Sequence, residues 1–311
     1  GHTLRRDRQG HNLSTAGVSR GHRGTIFVED AVVRTVTHFP GAQFVLRLQA
    51  PECAARATAG SFVHVRCAEG IPMRRPLSIM RVDADAGWIE VLFKVVGAGL
   101  DALGQRKAGD KVSVMGPIGR GFAPTPARTR PLLIGGGVGI PPMIFLAETL
   151  HAAAARWQPL VLMGSELPFP FALQPSTLPT PWLAADIVSA NPLIESWGIP
   201  SRLTSLNDFD GCFRGYVTEL ADQWLQTLSA ADLGLVEVFA CGPTPMLEAT
   251  AALARRYGLP CQVSLEEFMA CAVGGCAGCT VLVQEDDGPA MKRVCVDGPV
   301  FDAARVFHAG S

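Results

Sequence analysis

The stretch Leu132-Leu133-Ile134-Gly135-Gly136-Gly137-Val138-Gly139-Ile140-Pro141-Pro142 decides the fold of this 311-residue chain. From Pro131 to Ile134 the apolar residues run on without polar alternation, which predicts a short strand covered on both faces. The glycines predict a turn, and the Ala/Leu-rich run from Pro141 to Ala155 predicts a helix. Leu160 to Met163 predicts a further buried strand. Together these make a strand, helix, strand unit of a parallel sheet. The N–H groups and dipole at the start of that helix favour a pyrophosphate. A glycine turn also serves tight strand-to-helix packing, so this motif alone leaves both readings open.

More than a hundred residues downstream the arrangement repeats. Val236 to Ala240 predicts a buried strand, and Thr244 to Tyr257 a helix with Thr244 as N-cap, Pro245 at its first position and Gly258 past its end. Between them lies Cys241-Gly242-Pro243. Two such loops brought to one sheet edge would form a crevice for a dinucleotide. Cys241 is set aside as a nucleophile because no base can be assigned to it. The intervening Ser165 to Asn207 is rich in Pro and Leu without a period and yields no element assignment. No internal repeat is found.

Upstream, Thr25 to about Phe122 holds short β-rich runs, Thr25 to Val28, Phe44 to Leu46 and Ile89 to Phe93, broken by Gly, Pro and Asp. Frequent short strands with turn signals predict an antiparallel barrel. Pro124 and Pro126 then mark Ala123 to Pro131 as a linker. Within the barrel, Arg74-Arg75-Pro76-Leu77-Ser78-Ile79 offers a guanidinium and a hydroxyl for a phosphate, although a solvated arginine pair is the commoner origin of such a hexamer. Further glycine turns appear at Lys94-Val-Val-Gly97-Ala-Gly99 and at Gly116-Pro117-Ile118-Gly119-Arg120-Gly121-Phe122, and they favour the phosphate reading.

Of the nine cysteines, Cys53, Cys67, Cys212, Cys241 and Cys261 are scattered, whereas Cys271, Cys276, Cys279 and Cys295 gather near the C-terminus. The run Cys271-Ala-Val-Gly-Gly-Cys276-Ala-Gly-Cys279 places three thiols on one glycine-rich loop, and Cys295 supplies a fourth. This C-x4-C-x2-C spacing with a distant cysteine is the plant-type [2Fe-2S] pattern. Bulky residues there would block backbone N–H groups from reaching sulfur. A structural zinc site would place its cysteines as two separated C-x2-C knuckles; a zinc-bound or merely buried set of thiols is the competing explanation.

A hydrophobic fraction of 48% can fill two or three cores. The expected architecture is α+β and multidomain: a polar, disordered extension over 1–23, an antiparallel flavin-binding β-barrel over 24–122, an α/β nicotinamide-binding domain with a parallel sheet over 131–258, and a small [2Fe-2S] domain over 259–311. A net charge of -1 gives no electrostatic reason to expect nucleic acid or an anionic membrane as partner. No run of eighteen apolar residues and no signal-peptide core is found, so the expected setting is cytoplasmic.

With these motifs in this order, the chain from about Thr25 to Phe301 resembles the electron transfer subunits of NAD-dependent dihydroorotate dehydrogenase, within the ferredoxin reductase family. Ser264-Leu265-Glu266-Glu267-Phe268-Met269-Ala270-Cys271 and Asp297-Gly298-Pro299-Val300-Phe301 also carry the resemblance. It implies that Arg75, Pro76, Leu77 and Ser78 contact FAD, that Leu92, Phe93 and Lys94 line its ribose and phosphate, and that Gly99 and Leu100 cover its pyrophosphate. It further implies that Gly135, Gly136, Gly137 and Gly139, with Cys241, Gly242 and Pro243, hold NAD(H), and that Cys271, Cys276, Cys279 and Cys295 ligate the cluster. No catalytic acid or base is implied, because flavin and cluster carry the chemistry. Leu100 and Ala272 depart from the family, where a threonine and a glycine are usual. Glu166, after the strand ending at Met163, favours NAD over NADP. The chain contains no dihydroorotate-binding sequence, so the resemblance implies a hetero-oligomer with an FMN-containing catalytic subunit; related subunits serve hydrogenases and ferredoxin:NAD(P) oxidoreductases. A non-enzymatic redox sensor is the reading from another class.

Overall fold

The computed structural model describes residues 25–153 and 156–308; the extension expected over 1–23 lies outside them. Six strands close into an antiparallel barrel: β1 (Phe27–Phe39), β2 (Gln43–Gln49), β3 (Phe62–Arg66), β4 (Arg75–Asp83), β5 (Trp88–Lys94) and β6 (Lys111–Ile118), in the order β1-β2-β5-β4-β3-β6. Alternation of buried and accessible residues is clearest in β6 and β2. In β6, Val112, Val114, Gly116 and Ile118 are buried while Lys111, Ser113, Met115 and Pro117 are less so, and in β2 Leu46 and Leu48 alternate with Arg47 and Gln49. Two short helices cover the barrel, α1 (Pro51–Ala54) and α2 (Gly97–Gly104).

The next strand, β7 (Arg130–Gly136), is the centre of a seven-stranded sheet, and Leu132, Leu133 and Ile134 have no accessible surface. A single 3-10 turn over Gly137–Gly139 leads into α3 (Ile140–Ala152). That helix is buried on nearly every side, because it is wedged between the sheet and β4 of the barrel. An ion pair closes the seam: Arg81 of β4 meets Glu148 of α3, with Nη2 2.6 Å from Oε1. The sheet continues with β8 (Leu160–Gly164), which pairs parallel to β7.

The Pro-rich segment contains order that its sequence hides. It folds as β9 (Gln174–Pro175), β10 (Ser189–Ala190), α4 (Pro192–Ser196) and β11 (Ser201–Ser205). Polar contacts hold it: Asn191 Oδ1 caps α4 by accepting from the N–H groups of Leu193 and Ile194, and buried Arg202 donates to the Leu178 carbonyl at 2.9 Å and to Thr180 Oγ1 at 2.7 Å. Such a network leaves no hydrophobic period to read.

After β12 (Phe213–Arg214) come α5 (Val217–Gln226) and α6 (Ala230–Leu233). Val217, Leu220, Ala221, Trp224 and Leu225 are the buried face of α5, and Glu219 accepts from the Tyr216 N–H at 2.7 Å to start it. Then follow β13 (Val236–Cys241), α7 (Thr244–Arg256) and β14 (Cys261–Ser264), giving a sheet order β12-β11-β8-β7-β13-β14-β17, in which only the last strand, β17 (Val300–Asp302), runs antiparallel to its neighbour. One expectation is corrected here: Pro243, not Thr244, is the residue before α7, and no side chain caps its start, so Thr244 and Pro245 occupy the first turn itself.

The C-terminal residues leave this sheet and return to it. Between β14 and β17 lie the cysteine loop and the hairpin β15 (Thr280–Glu285) with β16 (Gly288–Arg293), and α8 (Ala303–Val306) follows β17. Phe62 and Ile118 of the barrel share one apolar cluster with Met269, Ala272, Cys279 and Cys295, and the Arg120 N–H donates to the Gly298 carbonyl at 2.6 Å. The cysteine loop is therefore seated on the outer wall of the barrel. Among the described residues no helix is long and apolar enough to cross a membrane.

Candidate functional site

In the sheet, β7 connects through α3 to β8 on one side while β13 pairs on the other, so the strand order reverses between β7 and β13. The C-terminal ends of these two strands are where a doubly wound sheet opens a ligand crevice. Gly135, Gly136 and Gly139 meet Cys241, Gly242 and Pro243 there, while a Cβ on Gly137 would meet open space. The contact is backbone on backbone: a Cβ on Gly139 would lie 2.2 Å from the Cys241 carbonyl oxygen. Gly137 takes φ +53 in the left-handed region, so the turn exposes its N–H groups at the start of α3.

Cys241 is fully buried, and burial first, with the nearby Glu266 charge second, pushes its thiol well above the usual range despite a hydrogen bond with Ser264. It is no nucleophile at neutral pH. Beside it a cavity of about 250 Å³ is lined by Gly242, Pro243, Thr244, Leu265, Glu266 and Phe307. Glu266 keeps an accessible outer edge, yet the dense protein around it raises its carboxyl above the usual value. Sequence reasoning did not single out Glu266 as a site residue; its position next to the Gly242 loop follows from β14 pairing with β13.

The two arginines of the barrel motif separate into different roles. Arg74 is structural: its Nη1 donates to the carbonyls of His64 at 3.1 Å and Ser113 at 2.9 Å, and its Nη2 to Ser113 Oγ at 2.8 Å. Arg75 instead reaches the start of α2, where a Cβ on Gly99 would lie 3.6 Å from its Nε. No side chain caps that helix, so a guanidinium and free N–H groups face the same place, a pattern suited to a phosphate. Leu100, in the first turn, packs against the barrel core. Pro76 and Ser78 are partly accessible on β4, whereas Leu77 is buried.

Leu92 and Phe93 are buried in the barrel, with Phe93 stacked on Phe44 at 5.5 Å between centroids, so only their backbone can reach a bound molecule. Lys94 ends the strand exposed.

The four C-terminal thiols are brought together by the hairpin. Thr280 pairs with Arg293, which fixes Cys279 beside Val294 through a 2.9 Å backbone bond and delivers Cys295 next to it. Arg293 Nη1 donates to the Gly274 carbonyl at 3.0 Å and ties the loop to the hairpin. Gly274 has φ +81, and both Ala272 and Ala277 also take left-handed values, φ 56 and φ 53, which bends the loop tightly.

The thiols fall into two pairs. All four are free thiols, and Cys271 neighbours Cys276 while Cys279 neighbours Cys295. Among the described residues no three of His, Cys, Asp and Glu converge closely enough to hold a single ion. Cys271 Sγ accepts from the Cys276 N–H at 3.4 Å, and Cys276 Sγ from the Gly278 N–H at 3.4 Å. For Cys271, burial raises the thiol, but N–H groups of Val273, Cys276 and Gly275 outweigh it and bring the value down to about 7. Burial and then the neighbouring Cys279 push Cys295 up to about 12. Thiolates crowded in this way need cationic charge between them, which a pair of ferric ions supplies. The donor set fits a [2Fe-2S] cluster, which Cys271, Cys276, Cys279 and Cys295 would hold.

Known proteins match the chain along most of its length. Residues 266–307 match the family described as the iron-sulfur cluster binding domain of dihydroorotate dehydrogenase B, and residues 35–122 match the oxidoreductase FAD-binding domain. The dihydroorotate dehydrogenase B (NAD(+)), electron transfer subunit, of Desulforamulus reducens is 32% identical over 281 residues, covering 90% of this chain and 98% of that protein. The subunit of the same name from Geobacillus thermodenitrificans is 32% identical over 252 residues, 79% of this chain and 86% of that one. In fold, the chain is similar to a structure of an NADH-dependent reduced ferredoxin-NADP oxidoreductase, with a TM-score of 0.72, 24% identity, and 89% and 90% of the two chains covered. A ferredoxin reductase of carbazole 1,9a-dioxygenase is similar with a TM-score of 0.55 and 20% identity, over 76% and 67% of the chains.

Proposed function

The chain belongs to the electron transfer subunits of dihydroorotate dehydrogenase B, and from that premise we propose which residues hold each carrier and where the electrons leave. It is a flavin and iron-sulfur oxidoreductase subunit with FAD, [2Fe-2S] and NAD(H) as its cofactors. When bound, the flavin exchanges a hydride with the nicotinamide and single electrons with the cluster.

Arg75 and the N–H groups of Gly99 and Leu100 hold the FAD pyrophosphate, while Pro76, Leu77 and Ser78 place the ring system along β4 and Leu92, Phe93 and Lys94 border its ribose and phosphate. Gly135, Gly136, Gly137 and Gly139, with Cys241, Gly242 and Pro243, admit the dinucleotide, because the glycines leave no Cβ between the two loops. Cys271, Cys276, Cys279 and Cys295 ligate the cluster. The proposed units are the barrel over 24–122, the α/β layer over 131–258 and the cluster unit over 259–311, with β14 and β17 shared between the last two. Contact among the units supports this reading: β5 of the barrel touches the 137–139 glycine turn, and Phe62 and Ile118 of the barrel share an apolar cluster with Met269, Ala272 and Cys279. No residue is asked for general acid or base work; the protein positions carriers and tunes them.

The subunit works with a catalytic partner. That partner carries FMN and oxidises dihydroorotate in the cytoplasm, so the physiological assembly is a hetero-oligomer in which electrons reach NAD+ through this chain. Mixing purified chain, FMN-containing catalytic subunit, dihydroorotate and NAD+ tests the assignment. NADH should form only when both proteins are present. Equal NADH formation by the catalytic subunit alone, or none from the mixture, contradicts it.

A further inference from the structure

The parallel sheet has a second edge, opposite the glycine crevice. There β7 begins at Arg130, β8 at Leu160 and β11 at Ser201. Leu150 and His151, from the last turn of α3, join Leu160 and Pro200 around a cavity of about 560 Å³. Arg130 and Gly136 are the two ends of β7, so at the rise of an extended strand the cavity lies roughly 20 Å from the glycine turn. Its volume suits a small organic molecule, for which about 300–1,000 Å³ is usual.

Four of the five tryptophans of the chain line this cavity: Trp157, Trp182, Trp197 and Trp224. They come from the approach to β8, the Pro-rich segment, the end of α4 and α5, so only the fold gathers them. Indoles that merely sealed the sheet edge would pack shut. Trp157, Trp182 and Trp197 instead keep accessible surface, and among the described residues no indole stacks on another. The ring contact present is that of His151 with Trp197, 6.0 Å between centroids and 17° from parallel. None of the four indole N–H groups donates to an acceptor among the described residues, although none is sealed from solvent. A tryptophan in a protein wall ordinarily finds a partner for that group.

Hydrogen-bond donors dominate the lining, and among the described residues no Asp or Glu borders the cavity. Arg130 donates from Nη1 to Oδ1 of Asp232 at 2.7 Å, and its guanidinium lies 5.6 Å over the Trp224 ring. Its Nε and Nη2 have no acceptor among the described residues. Thr180 Oγ1 accepts from buried Arg202 at 2.7 Å, which leaves its O–H to donate.

We propose that this cavity binds a small planar aromatic carboxylate, whose ring stacks against the indoles and whose carboxylate accepts from Arg130 and the indole N–H groups. A saturated ring would gain burial without the stacking, and a neutral one would leave the guanidinium without its charged partner. The inference does not rest on the cofactor assignments made above.

Isothermal titration calorimetry of the cofactor-loaded protein tests this with benzoate as the probe. Benzoate should bind one-to-one with a Kd on the order of 0.1 mM, in keeping with a ligand of its size, and saturating NADH should not change that value. Cyclohexanecarboxylate, which lacks a π face, and benzamide, which lacks the charge, should each bind about tenfold more weakly. Trp182→Leu should weaken benzoate about tenfold, while NADH-dependent reduction of ferricyanide keeps the wild-type rate. If Trp182→Leu fails to fold, Trp197→Leu is read by the same criterion. Absence of benzoate binding at millimolar concentration overturns the inference, as does equal binding of the three probes or native affinity in the tryptophan variant. Loss of benzoate binding in the presence of NADH would place the acid in the glycine crevice and overturn it as well.

Discussion

The crevice between β7 and β13 and the loop over 271–279 both prepare a site, but with opposite materials. At the crevice the site is made by leaving side chains out: Gly139 and Gly242 let two strand ends meet backbone to backbone. At the loop it is made by side chains, four thiols presented in two pairs by a hairpin and by left-handed residues. The first should be damaged by adding atoms and the second by removing them.

Removing a proposed cluster ligand should have the largest effect. Cys295→Ser takes a buried thiol from the pair with Cys279, so iron and sulfide should fall to background and transfer to the partner should drop about a hundredfold. FAD content and NADH-dependent bleaching of the flavin should survive, because the crevice uses none of these atoms. Retained cluster in Cys295→Ser would erase the contrast between the regions.

Adding an atom should come next. Gly139→Ala forces a methyl to within 2.2 Å of the Cys241 carbonyl oxygen, a backbone atom that can yield only if the two strand ends separate. Overpacking of this kind costs about 2 kcal/mol, so NADH should bind roughly thirtyfold more weakly by titration, with cluster content unchanged. Native affinity would show that the close approach is not what shapes the crevice.

The smallest effect is expected where the two materials meet in one residue. Ala272 carries a Cβ at φ 56, which costs about 1 kcal/mol, but its methyl is buried and contributes about 0.8 kcal/mol. Ala272→Gly should therefore leave the thermal midpoint of cluster loss almost unmoved. A large shift in either direction would mean that strain in this loop matters more to the cluster than ligand placement does.

The same contrast explains what could be read before the structure. Ligand chemistry is written in residue types, so Cys271, Cys276, Cys279 and Cys295 stand out by spacing, and a glycine turn after a buried strand such as Leu132 to Ile134 stands out by pattern. Short β-rich runs broken by turn residues revealed the barrel, and an unbroken apolar run revealed the sheet centre. The polar scaffolding was hidden because it has no period. Arg202, Asn191 and Glu195 order the Pro-rich segment through contacts among residues as far apart as Leu178 and Arg202. The Arg81–Glu148 pair that joins barrel to helix spans 67 positions and belongs to two different elements. Only the fold could show that Arg74 is structural while its neighbour Arg75 faces the start of α2, since the distinction depends on which side of a twisted strand each occupies.

In the proposed function one chain holds a flavin and a [2Fe-2S] cluster in electronic contact with NADH. The visible spectrum of anaerobically purified protein, taken before and after NADH with iron and acid-labile sulfide measured on the same sample, tests it most directly. Flavin bands over broad iron-sulfur absorbance, both bleached by NADH, are expected. A colourless protein containing zinc, or a coloured one that NADH leaves unchanged, would contradict it.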